Sequence, residues 1–352
     1  MRNKVNIAFS VNPGIEDIAS EEISTEFSGK VRYRLLTGYV YLETSNYSYE
    51  KISRLRTINR AFILLWRGEI RPELHYLATL REKLAKELSD IAEYVTPDTP
   101  FAVTAERLGE HEYTSMDIAR VLGDVVITIV EEIHGRRPMV NLRNPSVIVY
   151  AFAREKEMLV GISLTGPWSM HRRGYRVYDH PAALKPTLAS AMIYIAGTKD
   201  KQLIVDPMCG GGTIPIEAAL IHEDAEIIGT DINPRHIHGA IENAITAGVY
   251  DKVTFKAWDA RKIHELISDA DHMILNPPYG IRYGDPWSIR STYEKFLESA
   301  QKALKDGGRI TMITTEFSYV RKIVKKMRYD IVHERTVYHG NLYPHIMVLE
   351  KI

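Results

Sequence analysis

At 352 residues the chain has room for roughly two domains of ordinary size, with a sizeable core and a smaller one. Hydrophobic residues at 45% and charged residues at 26% exclude a disordered or fibrous chain, and the most apolar runs, Ala61 to Trp66 and Val125 to Val130, are too short to span a bilayer. Lys plus Arg number 45 and Asp plus Glu also 45, which excludes a global field that draws polyanions; any nucleic acid must be held by local patches.

In chain order, strand-like stretches Asn6 to Val11, Val31 to Glu43 and Ala61 to Gly68 alternate with single helices over short spans, which predicts a small α+β unit over residues 1–75. A second such unit is expected over residues 76–166. It starts extended at Phe101, continues in a helix around Ser115 to Ile133, and ends in strands at Met139 to Leu142 and Val147 to Ala153. Residues 167–185 read as a linker containing His171, Arg172, Arg173, Gly174, Tyr175 and Arg176. Arg172, Arg173 and Arg176 have no acid among them and are candidate phosphate contacts, although such a cluster is as often a solvated face. Residues 1–165 carry 21 basic and 23 acidic side chains, so an RNA-binding role for that half finds no support in its net charge.

Over residues 186–352, apolar runs alternate with longer amphipathic stretches, the pattern of a parallel sheet covered by helices. The expected strands are Gln202 to Asp206, Glu226 to Asp231, Val253 to Asp259, His272 to Asn276 and Arg309 to Thr315. Two further stretches, Tyr329 to Val337 and Pro344 to Lys351, have only His339, Gly340 and Asn341 as a turn between them, which predicts an antiparallel hairpin at one edge.

Asp206, Pro207, Met208, Cys209, Gly210, Gly211 and Gly212 follow the first of these strands and open a helix, at the sheet edge where ligands bind in open α/β folds. Glycines there allow positive φ and close approach of a ligand to the backbone. Neither the Gly-Lys-Ser/Thr ending of a nucleotide-phosphate loop nor the Gly-x-Gly-x-x-Gly dinucleotide pattern is present. Asp231 ends the second strand, where a carboxylate can accept from both hydroxyls of a ribose, and Asp259 ends the third, where it could accept from an adenine amino group. A glycine turn can be purely structural, and a lone Asp at a strand end is more often a cap. Three successive strand ends bearing Gly-Gly-Gly, Asp and Asp outline a pocket for an adenosine without a pyrophosphate.

Asn276, Pro277, Pro278, Tyr279 and Gly280 follow the fourth strand. Two prolines fix the backbone and remove two donors, so the Asn276 side-chain oxygen and the Pro277 carbonyl can present paired acceptors to a conjugated, poorly nucleophilic amino group. Tyr279 can stack on the heterocycle. Cys209, the single cysteine, excludes a disulfide framework and paired-cysteine zinc sites and reads as a small packed residue. No histidine spacing suggests a metal, and none is expected. A reducing compartment and an amino end unlike a signal peptide point to the cytoplasm.

These segments resemble motifs of the class I S-adenosylmethionine-dependent methyltransferases, which implies a Rossmann-like seven-stranded sheet with an antiparallel last strand over residues 186–352 and S-adenosylmethionine as cofactor. The resemblance implies a cofactor site of Thr187, Asp206, Pro207, Cys209, Gly210, Gly211, Gly212, Asp231, Ile232, Asp259, Ala260 and Asn276, with Asn276, Pro277 and Tyr279 catalytic. Asn-Pro-Pro-Tyr resembles the signature of enzymes that methylate exocyclic or amide nitrogens. Phe101 to Arg107, His111 to Ala119, Val140 to Pro145 and Gly161 to Gly166 resemble the THUMP domain of RNA-modifying enzymes, joined in that family to a ferredoxin-like unit and gripping the acceptor stem and 3′ end of tRNA. With His171 to Arg176 and Leu184 to Ala189, the chain resembles RNA guanine-N2 methyltransferases with THUMP domains. Among these it is most similar to the archaeal group that methylates guanosine 6 of tRNA with base flipping. Arg172, Arg173, Arg176 and Arg282 are then RNA contacts. Methylation at tRNA guanosine 10, where the related group usually has Asp in place of Asn276, or of an rRNA guanosine, stays open. So does an RNA-binding module without catalysis; a nicotinamide oxidoreductase would share Asp231 but leaves Asn276 to Tyr279 without a purpose.

Overall fold

The structure, a computed structural model, describes residues 4–279 and 286–352. Its first half consists of β1 (Val5–Val11), α1 (Glu16–Glu26), β2 (Lys30–Tyr33), β3 (Tyr39–Thr44), α2 (Tyr49–Arg54), β4 (Ile58–Glu69), α3 (Tyr76–Glu87), β5 (Phe101–Leu108), α4 (Ser115–His134), β6 (Val147–Arg154) and β7 (Glu157–Ser163). These strands form one sheet in the order β2-β3-β1-β4-β7-β6-β5. The sheet runs across residue 75, because β7 returns to pair antiparallel with β4 from Phe62 opposite Ser163 to Glu69 opposite Glu157.

The stretch expected as one strand over Val31 to Glu43 is the β2–β3 hairpin, reversed where Leu36 and Gly38 take positive φ. Met139 to Leu142 makes only an isolated bridge, Val140 to Phe101. The competing force is local: the Asn141 side chain accepts from the backbone N–H groups of Arg143 and Asn144, an Asx turn that bends the chain before Pro145. α4 follows its sequence closely. Thr114 and Asp117 form a reciprocal capping box, Gly135 ends the helix in the left-handed conformation, and Ile118, Leu122, Val125, Val126, Ile129 and Val130 are buried along one face. Each such side chain contributes ~1.5–3 kcal/mol of burial.

The second half consists of α5 (Pro186–Ala196), β8 (Leu203–Asp206), α6 (Thr213–Ile221), β9 (Glu226–Asp231), α7 (Pro234–Ala247), β10 (Val253–Ala257), β11 (Ala270–Leu275), α8 (Pro286–Ala303), β12 (Leu304–Thr314), α9 (Phe317–Val324), β13 (Tyr329–Thr336) and β14 (His345–Lys351). The sheet order is β10-β9-β8-β11-β12-β14-β13. β8 to β12 run parallel, and β14 is antiparallel to both β12 and β13. This is the seven-stranded Rossmann-like sheet with an antiparallel last strand that the motifs implied. The order reverses between β8 and β11, and the crevice at their carboxyl ends is where such folds bind ligands. No helix among the described residues is long and apolar enough to cross a membrane.

A buried carboxylate joins the halves. Glu217 on α6 is fully buried and takes ion pairs from Arg56 at 3.1 Å and Arg173 at 3.2 Å. It also accepts from Tyr175 Oη at 2.9 Å and Ser190 Oγ at 2.8 Å. At the other end of the interface Arg335 on β13 pairs with Asp17 on α1, at 2.6 and 2.8 Å.

Candidate active site

β8 delivers Asp206, nearly inaccessible, to the floor of the crevice. Its carboxylate accepts one backbone bond, from Met208 N at 3.0 Å. Burial pushes this carboxyl well above its ordinary range, and the nearby Asp231 charge adds to the effect. A desolvated acid so sparsely bonded favours a cationic group beside it. The chain then turns through Gly210 and Gly212, both at positive φ, into α6. At Gly212 a side chain would be strained twice over, by its φ of 77° and by a Cβ standing 3.0 Å from that of Ala240.

Asp231 braces this turn from the end of β9. Its Oδ2 accepts from Gly210 N at 3.0 Å, and Oδ1 from Asn233 N at 2.8 Å with His236 Nδ1 at 3.1 Å. Ile232 beside it is 65% exposed, an apolar surface at the crevice edge. Asp259, just past β10, caps a 3-10 turn through Arg261 N and is gripped by the Arg261 guanidinium at 2.6–3.0 Å. That hydrogen-bonded pair outweighs desolvation and holds the Asp259 carboxyl below its ordinary value. Ala260 and Cys209 are buried; burial, with the charges of Asp206 and Asp231, pushes the thiol well above its ordinary range, which suits a packed residue rather than a nucleophile.

Part of the linker straps across the crevice. The Asn243 side chain on α7 accepts from Tyr178 N at 2.8 Å and donates to Tyr178 O and Gly211 O, both at 2.9 Å, so one amide ties linker to glycine turn. Gly239 on α7 accommodates the Tyr178 ring, since a Cβ there would stand 2.2 Å from Cγ. His180 lies against Gly210, 3.6 Å from where a Cβ would be, and edge-on to His236 with ring centroids 4.4 Å apart. Sequence reasoning missed Tyr178, His180, His236 and Asn243. Only the helical spacing of His236, Gly239 and Asn243, which puts them on one face of α7, hinted at them.

At the end of β11 the Asn276 amide is held at both ends. Its Nδ2 donates to Ala182 O of the strap at 3.1 Å, and its Oδ1 accepts from Tyr279 Oη at 2.7 Å. One lone pair of Oδ1 remains for a ligand. Pro277 is buried, and Tyr293 donates to the Pro278 carbonyl at 3.1 Å, fixing the double-proline turn from below. Tyr279 was expected to offer its ring face; here its hydroxyl orients Asn276.

Several expected residues lie elsewhere. Thr187 is fully buried, and its hydroxyl is spent on Asn59 and Asn12 of the first half, at 3.0 and 3.3 Å. Arg173 is withdrawn into the Glu217 cluster and donates to Arg56 O at 2.9 Å. Arg176 pairs with Asp179 at 2.7 Å. Arg172 alone of the three is exposed, its guanidinium 5.1 Å from the Trp168 ring. Arg282 lies outside the described residues. The structure brings Asp206, the glycine turn, Asp231, Ile232 and Asn276 to one crevice. This donor set fits S-adenosylmethionine, with a buried acid for its cationic portion, a carboxylate and backbone turn for the ribose side, and an apolar edge.

A family model described as an RMKL-like methyltransferase domain matches residues 173–345, and a THUMP domain model matches residues 82–163. The chain is 34% identical to a tRNA (guanine(6)-N2)-methyltransferase of Methanocaldococcus jannaschii, over 97% of this chain and 98% of that one. It is 33% identical to the protein of that name from Archaeoglobus fulgidus, over 96% and 90%. The crystal structure of TrmN from Thermus thermophilus superposes with a TM-score of 0.78 at 25% identity, covering 99% of this chain and all of that one. A parallel sheet with its acids and glycines at one edge, a THUMP unit ahead of it and relatives matched end to end agree: the chain belongs to the family of THUMP-containing class I methyltransferases.

Proposed function

We propose that the protein is an S-adenosylmethionine-dependent methyltransferase acting on the exocyclic N2 of a guanosine in tRNA, at position 6 of the acceptor stem. The observation that carries this reading is the doubly held Asn276 amide, set across the β8–β11 crevice from the glycine turn. Full-length similarity to relatives named for guanine-6 N2 methylation supports the position.

When bound, S-adenosylmethionine supplies an electrophilic methyl group. The chain's own part is orientation. Asn276 Oδ1 and the Pro277 carbonyl accept the two hydrogens of the amino group, turning its lone pair out of conjugation. The bond that Nδ2 donates to Ala182 O fixes which end of the amide faces the base, and the Tyr279 hydroxyl limits its rotation. No strong base is required, since the nitrogen becomes acidic once alkylated and its proton passes to these acceptors or to water. A base within a stem must leave the stack to reach such a turn, so the reading includes flipping. The THUMP unit is assigned the 3′ end of the same tRNA.

Purified protein with labelled S-adenosylmethionine and a tRNA transcript should yield N2-methylguanosine, mapped by nucleoside mass spectrometry to position 6. A transcript with adenosine at position 6 should stay unlabelled. Asn276→Ala should lower kcat by roughly a hundredfold or more while cofactor affinity holds; full activity in that variant would end the assignment.

A further inference from the structure

The loop between β7 and the strap is built rigidly but projects its largest side chain outward. Arg60 on β4, almost inaccessible, donates to Gly166 O at 3.4 Å and Pro167 O at 3.2 Å. Ser169 Oγ and Met170 N both donate to Asn59 O, at 3.1 and 2.7 Å. Between these anchors Trp168 is 63% exposed, and the exposed Arg172 packs over one face of its ring. The anchored loop loses little entropy on binding, and most of the ring surface is exposed.

Charge is concentrated beside it. Lys185, at the entry to α5, is half-buried, and its ammonium has no hydrogen-bond or ion-pair partner among the described residues. The carboxylate acting on it is Glu106, already paired with Arg60 at 2.7 Å. His171, bonded to Ser169 Oγ at 2.6 Å, feels the charges of both Lys185 and Arg172, so both cations lie in its neighbourhood. Across the junction His339 Nδ1 is buried with no partner. An unpaired ammonium, an exposed guanidinium and a largely exposed indole are the parts that hold a single-stranded nucleotide.

We propose that Trp168, Arg172 and Lys185 form a second RNA-contact site, at the junction of the two halves, which stacks one unpaired base on the exposed Trp168 ring and holds the adjoining phosphodiester against the two cations. This rests on the tRNA methyltransferase reading and extends it to a contact outside the catalytic crevice. Neither cation has an ion pair among the described residues, unlike Arg173 and Arg176 of the same segment.

The test measures binding of a tRNA transcript, and of a blunt RNA duplex of the same stem, over a range of salt concentrations. Trp168→Ala should weaken tRNA binding by roughly 5- to 100-fold, Trp168→Phe should restore most of it, and the duplex should be little affected. Lys185→Gln should lower the slope of log affinity against log salt by about one. Affinity for S-adenosylhomocysteine should be unchanged in each variant, which verifies the fold. Trp168→Ala binding tRNA within about twofold of the parent, or losing duplex affinity equally, overturns the stacking; an unchanged salt slope in Lys185→Gln overturns the phosphate contact. If the parent methylates no tRNA, the underlying reading fails. If it does and these variants bind like it, only this site fails.

Discussion

Tyr279 carries a distinction that its residue type alone leaves open. A stacking role needs only the ring, whereas the 2.7 Å bond to Asn276 Oδ1 needs the hydroxyl. A neutral hydrogen bond is worth ~0.5–1.5 kcal/mol, so Tyr279→Phe should lower kcat by about 2- to 12-fold with KM for tRNA nearly unchanged. A phenylalanine variant with parental kcat would return the residue to the stacking role. The placement of Asn276, the glycine turn and Asp231 at strand ends along one sheet edge was legible in the sequence, because it follows from residue type and spacing beside a strand. Thr187 and Arg173 were not. Which polar side chain is spent on an internal partner depends on what lies opposite, and those partners, Asn12, Asn59 and Glu217, are distant in the chain.

Among the elements, the strap and α7 show how one helix face serves both the glycine-turn crevice and the linker. Gly239 sits inside a helix, where replacement by Ala ordinarily adds ~1 kcal/mol of stability. Here the added Cβ meets the Tyr178 ring at 2.2–2.3 Å, backed by the tie from Asn243, and the steric term wins. Gly239→Ala should therefore release the strap, seen as faster proteolytic cleavage within residues 176–183, without a lower melting temperature for the second half. Cleavage at the parental rate would mean that Tyr178 does not hold the strap. α4, by contrast, was readable nearly to the residue, since its cap, apolar spacing and terminal glycine all act within the helix. The Met139 to Leu142 segment failed because an Asx turn competes with a weak edge pairing.

Taken whole, the two halves are held by charged groups removed from water. Removing the Glu217 carboxylate would leave Arg56 and Arg173 facing each other at the junction without an acid. Glu217→Ala should cost about 3–5 kcal/mol in urea unfolding, far above the median for an exposed pair. A loss below about 1 kcal/mol would show that the arginines find water instead. Stability should also depend on acid. His171, His272 and His339 are desolvated, with Lys185, Arg309 or other cations adding to the effect, and each is lowered to about 4. Their folded values lie below the unfolded value of about 6.5. The unfolded chain therefore binds protons first on acidification, and the stability present above pH ~6.5 should drain away as pH falls toward about 4. The urea midpoint should drop steadily across that window, and a flat profile would contradict the burial of these rings.

Periodicity and strand-end residue types were enough to establish a parallel sheet of Rossmann type with a glycine turn, Asp231 and Asn276 at one edge, because these depend on residue type and short spacing. The shared sheet across residue 75, the strap of Tyr178 to Ala182 over the glycine turn, and the withdrawal of Arg173 and Thr187 from any ligand came from folding in three dimensions. Each depends on pairing between residues tens to more than a hundred positions apart, and a linear pattern carries no term for which of two distant polar groups will meet.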